Sequence, residues 1–202
     1  MPVQHVKDRP IIIGLTGGIA SGKTTASKYF ESHLIPVIDS DAIVKELWLT
    51  QHDMLDQIES VFNTLDKTLI ASSIFSDKER RETLNRIVHP YVFDEINRKI
   101  KSLRDERMIV IDMPLLFEVG YQDQVDYTAL VYTDEQTALK RLVERDGLSK
   151  IAAKQRVEAQ MPIEEKRKIA DFVLDNTGDE PQLIEHIENM LGSIWDEEQF
   201  DL

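Results

Sequence analysis

Residues 17–24 read Gly17-Gly18-Ile19-Ala20-Ser21-Gly22-Lys23-Thr24, which matches the pattern G-x-x-x-x-G-K-[ST]. The apolar run 11–15 precedes them and is typical of a buried strand. Glycines let the backbone curl so that successive N–H groups point inward, and a helix beginning near Gly22 adds the positive end of its dipole. The segment therefore predicts a phosphate-binding loop between a strand and a helix.

A polyphosphate is the ligand expected for this loop. Lys23 is expected to reach the β- and γ-phosphates, and the Thr24 hydroxyl to bind Mg²⁺. Asp112 ends the apolar run 108–112 and is the second predicted metal ligand, acting through water. An ordinary strand-ending acid is the alternative for Asp112.

The composition is that of a globular protein with one well-filled core. The chain has 202 residues, of which 42% are hydrophobic, and no apolar run approaches the ~18 residues of a membrane span. It contains no cysteine, which excludes disulfides and fits the reducing cytoplasm. The formal charge of −13 argues against nucleic acid as a partner, and the sequence gives no oligomeric state.

Charge is unevenly distributed near the carboxyl end of the sequence. Residues 140–168 contain nine Lys or Arg against five Asp or Glu, whereas residues 179–202 contain eight acids and neither Lys nor Arg. The first segment is expected to attract an anionic ligand. The second is interpreted as a solvated helix face with a frayed end.

Five apolar runs alternate with helical patterns and predict a parallel sheet with helices on both faces, an α/β fold. The runs are Ile11–Leu15, Ile35–Ile38, Met108–Met113, Tyr127–Tyr132 and Phe172–Leu174. Thr133 and Gln136 resemble a capping box that opens a helix through about Arg145, and Ser149 is the predicted cap of the next helix, which ends before Pro162.

The second and third predicted strands are separated by a stretch too long for a simple crossover, which indicates a helical insertion. Its predicted helices are Asp41–Leu49, Asp53–Phe62 and Lys78–Leu103. We therefore expect one phosphate-loop domain over 1–202. Its core is 10–42 with 107–202, and its insertion is 43–106.

Two carboxylates, Asp39 and Asp41, follow the second predicted strand, at the sheet edge where open α/β folds bind ligands. One of them is placed to accept a hydrogen bond from an acceptor hydroxyl and to aim it at the γ-phosphorus. A role as helix N-cap and first-turn acids explains the same spacing equally well. The spacing alone leaves both interpretations open.

Five segments together resemble the dephospho-CoA kinase family, in the family's order. They are 14–25, Val37-Ile38-Asp39-Ser40-Asp41, His89-Pro90, Pro114-Leu115-Leu116-Phe117-Glu118 and 170–178. The resemblance covers about residues 10–178. It implies transfer of the ATP γ-phosphoryl to the ribose 3′-hydroxyl of dephospho-CoA, the last step of coenzyme A synthesis, with the insertion binding the acceptor.

The resemblance also implies roles for individual residues. Asp41 is the implied general base with Asp39 orienting it, and Arg145 is the implied catalytic cation beside Lys23. The resemblance also makes the basic segment around Arg145 and Arg156 a lid over ATP, with the helical lid itself at about 146–168. The implied ATP contacts are the loop residues 17–25, of which Thr25 is the last, and beyond the loop Arg145, Asn176 and Gly178. The implied acceptor contacts are Asp39, Asp41, His89, Pro90, Leu115, Leu116, Phe117, Glu118 and Arg156.

Purely structural roles remain open for several of these residues. Core packing accounts for Leu115 and Leu116, packing or capping for His89, and an ordinary turn for Asn176 and Gly178. Two positions also depart from the family pattern. Ala20 replaces the usual glycine, which a negative φ would permit, and Lys67 follows Asp66 where the family usually has arginine, which weakens a two-point anion contact.

Other functions are compatible with a phosphate loop. The nearest alternative is a kinase of the same architecture acting on a nucleotide or a shikimate-like alcohol. A GTP-dependent switch would need an Asn-Lys-x-Asp segment, which the sequence lacks. A nucleotide-binding scaffold without catalysis would not require an acid at the acceptor side, which weighs against it.

Overall fold

The computed structural model describes residues 9–75 and 77–198. Its strands are β1 (Ile11–Gly17), β2 (Val37–Asp39), β3 (Met108–Asp112), β4 (Tyr127–Tyr132) and β5 (Phe172–Asp175). Its α-helices are α1 (Lys23–Ser32), α2 (Ser40–Thr50), α3 (His52–Phe62), α4 (Lys67–Phe75), α5 (Lys78–Ser102), α6 (Glu135–Asp146), α7 (Lys150–Glu158), α8 (Ile163–Ile169) and α9 (Glu180–Glu197).

The five strands form one sheet in the order β2-β3-β1-β4-β5. β1 is paired in parallel with β3 and β4, and all seven of its residues are buried. The chain leaves β1 toward β2 on one side and later crosses to β4 on the other, so the strand order reverses at β1. Ligand sites of open α/β sheets lie at the carboxyl end of such a strand. The predicted α/β fold with a parallel sheet is confirmed.

The chain divides into two compact units, residues 1–38 with 105–202 and residues 39–104. The first contains the sheet and a core in which apolar residues of β1 and β4 pack with those of α1 and α9. The second consists of α2 to α5, in which the three shorter helices contact the long helix α5. The single domain over 1–202, with its insertion at 43–106, stays a prediction.

α9 has a buried face as well as a solvated one. Leu183, Ile187, Met190 and Ile194 are buried, whereas its acidic residues are exposed. The acidic segment therefore forms an amphipathic helix, because its apolar residues recur at helical spacing. They form a face that packs in the core, opposite the solvated acidic face. The expected frayed end at 199–202 lies outside the described residues.

One predicted helix cap differs from the structure and another agrees with it. Asp134 and not Thr133 caps α6, because its carboxylate accepts from the Thr137 N–H at 2.9 Å and from the Thr137 hydroxyl at 2.7 Å. The predicted capping box at Thr133 is therefore wrong. Ser149 does cap α7, accepting from the Ala152 N–H at 3.2 Å.

Candidate active site

The phosphate loop joins the central strand to α1. Lys23 is the first residue of α1 and Gly22 is its N-cap, with a φ of 94° that favours glycine. A Cβ atom on Gly22 would lie 2.1 Å from the Asn176 side-chain nitrogen. Both the backbone angle and the close approach therefore require glycine here. The predicted start of the helix is confirmed.

Ala20 has a φ of 59°, in the left-handed region. The negative φ that would permit an alanine here without strain is therefore not present. The conformation costs an alanine about 1–2 kcal/mol. Arg141 supports it by donating to the Ala20 carbonyl at 3.3 Å and to the Asn176 carbonyl at 2.8 Å. Arg141 thus braces two loops of the site from α6.

Lys23 and Asp112 form an ion pair at the carboxyl ends of β1 and β3. The Ser27 hydroxyl donates to the second oxygen of Asp112 at 2.6 Å, and Asp112 is buried. The carboxylate is thus held beside the phosphate loop by two partners on α1. Lys23 is partly buried in this pair.

Thr24 and Asp112 offer a hydroxyl and a carboxylate, the donor types that Mg²⁺ accepts when nucleotide phosphates supply the rest of its shell. The Thr24 side chain is exposed on the first turn of α1, and Asp112 is fixed at the end of β3. No cluster of three or more His, Cys, Asp or Glu suited to a metal occurs among the residues described. The donor set therefore fits a cation bound with the nucleotide.

A cavity of about 490 Å³ lies beside the loop. Its lining is Ala20, Gly22, Thr25, Arg141, Glu144, Arg145, Asn176, Gly178 and Glu180. Six of these residues are among the ATP contacts expected from the sequence. The Asn176 side chain itself is buried and donates to the Ser21 carbonyl at 2.7 Å, so it also fixes the loop.

Arg145 is exposed at the end of α6 and forms a two-point ion pair with Asp146. The Nε–Oδ1 distance is 2.6 Å and the Nη2–Oδ2 distance is 3.0 Å. This contact raises the pKa of Arg145 and, with a smaller effect from Arg156, lowers the pKa of Asp146. Arg156 itself is exposed on α7. Nothing in the exposed pair prevents the Arg145 guanidinium from exchanging Asp146 for a phosphate.

The expected lid residues contact the phosphate loop. The Gln160 side-chain oxygen accepts from the Ile19 N–H at 2.9 Å, and a cavity of about 340 Å³ lies between the start of α6, the loop and residues 157–164. The Glu164 carboxylate accepts from the Tyr132 hydroxyl at 2.7 Å, which raises the pKa of Tyr132. The sequence interpretation did not assign a role to Gln160.

The segment 114–118 follows β3 and is partly core. Leu116 is fully buried against Gly14, and Phe117 is also buried, whereas Leu115 is 42% exposed. Core packing therefore describes Leu116. Glu118 forms an ion pair with Lys166 of α8 at 2.8 Å and accepts from the Met161 N–H at 3.1 Å.

The remaining predicted residues belong to the helical unit. The Asp39 carboxylate accepts from the backbone N–H groups of Asp41 and Ala42 at 2.8 and 3.0 Å, so Asp39 is the N-cap of α2. Asp41 is exposed in the first turn. The structure therefore places both acids as the helix-cap interpretation describes, with Asp39 at the N-cap and Asp41 in the first turn, and a chemical role for Asp41 stays a prediction.

His89 and Pro90 line a groove of about 510 Å³ along α5, with Glu82, Asn85, Arg86 and Phe93. The His89 ring stacks on Phe93 at 5.5 Å between centroids, and burial lowers the pKa of His89. Neutral His89 is therefore the form favoured near pH 7.

Lys67 is exposed at the start of α4 and contacts an aromatic side chain. Its ammonium lies 5.2 Å from the centroid of the Trp48 ring, a cation–π distance. Asp66 caps α4, accepting from the Thr68 N–H at 2.8 Å. The Asp66-Lys67 pair thus has a local structural role in the helical unit.

In the described part of the chain, no helix combines the length and apolar character needed to cross a membrane.

Comparison with known proteins gives one consistent relationship. A model of the family described as dephospho-CoA kinase matches residues 11–182. The dephospho-CoA kinase of Shouchella clausii is 41% identical over 176 residues, which cover 82% of this chain and 89% of that protein.

Solved structures agree with this match. A Thermus thermophilus protein has a TM-score of 0.81 and 34% identity, with 92% of this chain and 98% of that chain covered. The dephospho-CoA kinase of Campylobacter jejuni has a TM-score of 0.66 and 28% identity, with 91% and 96% covered. Because the matched residues include the phosphate loop, the segment 114–118 and Asn176, this chain belongs to the dephospho-CoA kinase family.

Proposed function

We propose that this protein is an ATP-dependent dephospho-CoA kinase that phosphorylates the ribose 3′-hydroxyl of dephospho-CoA, the final step of coenzyme A synthesis. The observation that carries the proposal is the family match over residues 11–182. The cavity beside the phosphate loop, lined by residues expected to contact ATP, supports the donor side of the reaction. We further propose that the protein acts in the cytoplasm, which its lack of cysteine favours.

On the ATP side, backbone N–H groups of the phosphate loop and of the start of α1 bind the phosphates, whereas the Ile19 N–H donates to Gln160. Lys23 exchanges Asp112 for the β- and γ-phosphates, since an ammonium is free to rotate between two anionic partners. Thr24 and Asp112 would hold Mg²⁺, which would neutralise charge on the phosphates. Ser27 keeps Asp112 oriented during this exchange.

On the acceptor side, the oxygen of the ribose 3′-hydroxyl forms a bond to the γ-phosphorus, and Asp41 accepts the proton of that hydroxyl. The bond between the γ-phosphorus and the oxygen that bridges it to the β-phosphate breaks, which releases ADP. Because this transition state is loose, the carboxylate contributes mainly by positioning the hydroxyl. Asp39 holds the first turn of α2, and therefore Asp41, in place. Arg145 turns from Asp146 to the transferring group and stabilises its charge.

An acceptor panel with Mg²⁺-ATP tests the proposal directly. Dephospho-CoA, AMP, CMP, pantothenate and a no-acceptor control are compared by ADP release, and the site of the new phosphate is determined by phosphorus NMR. We expect strong stimulation by dephospho-CoA alone and a 3′-phosphate product. Equal turnover with AMP or CMP would favour the alternative of a kinase for another small acceptor.

A Lys23→Ala preparation serves as the background control for contaminating kinase activity. It should lose transfer because no other side chain replaces the ammonium at the phosphates. The same assay with EDTA tests the Mg²⁺ requirement. Activity that survives both treatments does not come from the proposed site.

A further inference from the structure

Lys166 of α8 is fully buried, which is rare for a lysine. Its ammonium donates to the Pro114 carbonyl at 3.0 Å and pairs with Glu118 Oε1 at 2.8 Å. Removing an ammonium from water is costly, and a buried ion pair is often no more stabilising than apolar side chains of similar volume. Stability therefore does not by itself explain a lysine at this position.

The partners of Lys166 connect it to the segment 114–118 and to β1. The Pro114 carbonyl also accepts from the Thr16 hydroxyl at 2.9 Å, one residue before the phosphate loop begins. Glu118 Oε1 also accepts from the Met161 N–H at 3.1 Å. The Oε1 atom of Glu118 thus contacts both Lys166 in α8 and Met161, which lies just before α8.

The residues just before Lys166, from Gln160 to Ile163, contact the phosphate loop. Gln160 accepts from the Ile19 N–H, and a Cβ atom on Gly18 would lie 3.2 Å from Ile163. Residues 160–166 therefore contact the phosphate loop on one side and the segment 114–118 on the other. A shift of residues 160–166 when ATP binds would therefore change the contacts of Glu118 with Met161 and Lys166.

We propose that Lys166 and Glu118 are a positioning pair that couples the ATP-side lid to the segment 114–118, so that each substrate strengthens binding of the other. The inference rests on the proposed function, because it takes 114–118 as an acceptor contact. The ion pair and the Pro114 contact hold the two segments as one unit. Neither residue touches the reacting atoms.

Binding measurements with a nonhydrolysable ATP analogue test the pair. The dissociation constant of the analogue is measured with and without saturating dephospho-CoA. In the unaltered protein we expect dephospho-CoA to tighten analogue binding about fivefold or more. In Lys166→Met, which preserves length and buries well, the factor should fall close to one, and kcat should fall more than the KM for ATP rises.

Two further variants separate positioning from folding. Lys166→Met with Glu118→Gln leaves no unpaired buried charge, and the introduced amide oxygen can still accept from the Met161 N–H, so this double variant should fold if the single one does not. Lys168→Met is the matched control, because Lys168 is exposed on the same helix. It should leave the coupling factor unchanged.

The outcomes are distinguishable. If the unaltered protein phosphorylates dephospho-CoA but the folded double variant keeps the full coupling factor, the inference is overturned and the proposed function stands. Equal coupling loss in the Lys168→Met control also overturns it. If dephospho-CoA neither binds to nor reacts with the unaltered protein, both proposals fail before any variant is made.

Discussion

Asn176 donates its side-chain N–H to the Ser21 carbonyl at 2.7 Å, although 155 residues separate the two in the sequence. The bond ties the turn after β5 to the phosphate loop beside the larger of the two cavities at the loop. Gly22 leaves room for it, since any Cβ atom there would collide with the Asn176 amide. The turn after β5 therefore helps to set the shape of the phosphate loop.

Asn176→Ala should lower the free energy of unfolding by about 1–3 kcal/mol, because the buried Ser21 carbonyl loses its donor. ATP binding should weaken at the same time. Urea unfolding and calorimetric titration measure the two effects. Thr177→Ala, at an exposed neighbouring position, is the control. An unchanged free energy of unfolding in Asn176→Ala would show that this hydrogen bond does not stabilise the fold.

Asp41→Asn should lower kcat by about 10²–10⁴ with both substrates still bound, because a neutral amide positions the hydroxyl less well and cannot take up its proton. Asp39→Asn should be milder, since asparagine caps a helix as well as aspartate. Asp39→Ala should destabilise α2 by about 1 kcal/mol. Steady-state kinetics and thermal unfolding measure these effects. If Asp39→Asn loses activity and Asp41→Asn keeps it, the two roles are exchanged.

Arg145→Ala should lower kcat more than it weakens ATP binding, because its charge acts on the transferring group. Arg145→Lys should rescue only part of the rate, since an ammonium lacks the planar fork. Lys140→Ala on the same helix is the control, and neither variant should change the melting temperature because both side chains are exposed. A wild-type kcat in Arg145→Ala would remove Arg145 from the mechanism.

Ala20→Gly should raise the free energy of unfolding by up to about 1 kcal/mol, because relief of the left-handed strain exceeds the entropic cost of glycine. Ala20→Val should lower it, since a β-branched side chain tolerates a φ of 59° poorly. Chemical denaturation of the ligand-free protein measures both. A clear loss of stability in Ala20→Gly would contradict this account.

His89 should titrate below its ordinary pKa of about 6.5, because burial disfavours the imidazolium. As pH falls below that value, the unfolded chain takes up a proton that folded His89 resists, so the contribution of this site to the free energy of unfolding decreases. NMR titration of the imidazole carbons and unfolding at several pH values test the sign. His89→Asn, which cannot titrate, should flatten this part of the profile.

The sheet and the phosphate loop were predictable because each depends on a short local pattern. Buried parallel strands appear as continuous apolar runs, and the five predicted runs match the five strands to within two residues at either end. The loop requires glycines and a lysine at fixed spacing. The cavity beside the phosphate loop likewise brings together Ala20, Arg145 and Asn176, which the family resemblance assigns to one ligand.

Contacts between distant segments were not predictable from the same patterns. Gln160 meets Ile19 across 141 residues, and no local signal marks a glutamine for that contact. Lys166 lies in a basic stretch that reads as solvated surface, yet it is fully buried. The helix α4 was missed because it has little amphipathic periodicity, and its cap Asp66 was considered only as the residue before the departure at Lys67.

The position of β1 at the centre of the sheet has a consequence for how the chain acquires its structure. Ile11 pairs with Met108 and Ile13 with Tyr127, so β1 finds its neighbours only about a hundred residues later along the chain. Until then its isoleucines remain an unpaired apolar edge, which favours aggregation during synthesis and slow refolding from denaturant. The strand that precedes the phosphate loop is therefore also a segment whose shielding by a chaperone would limit aggregation.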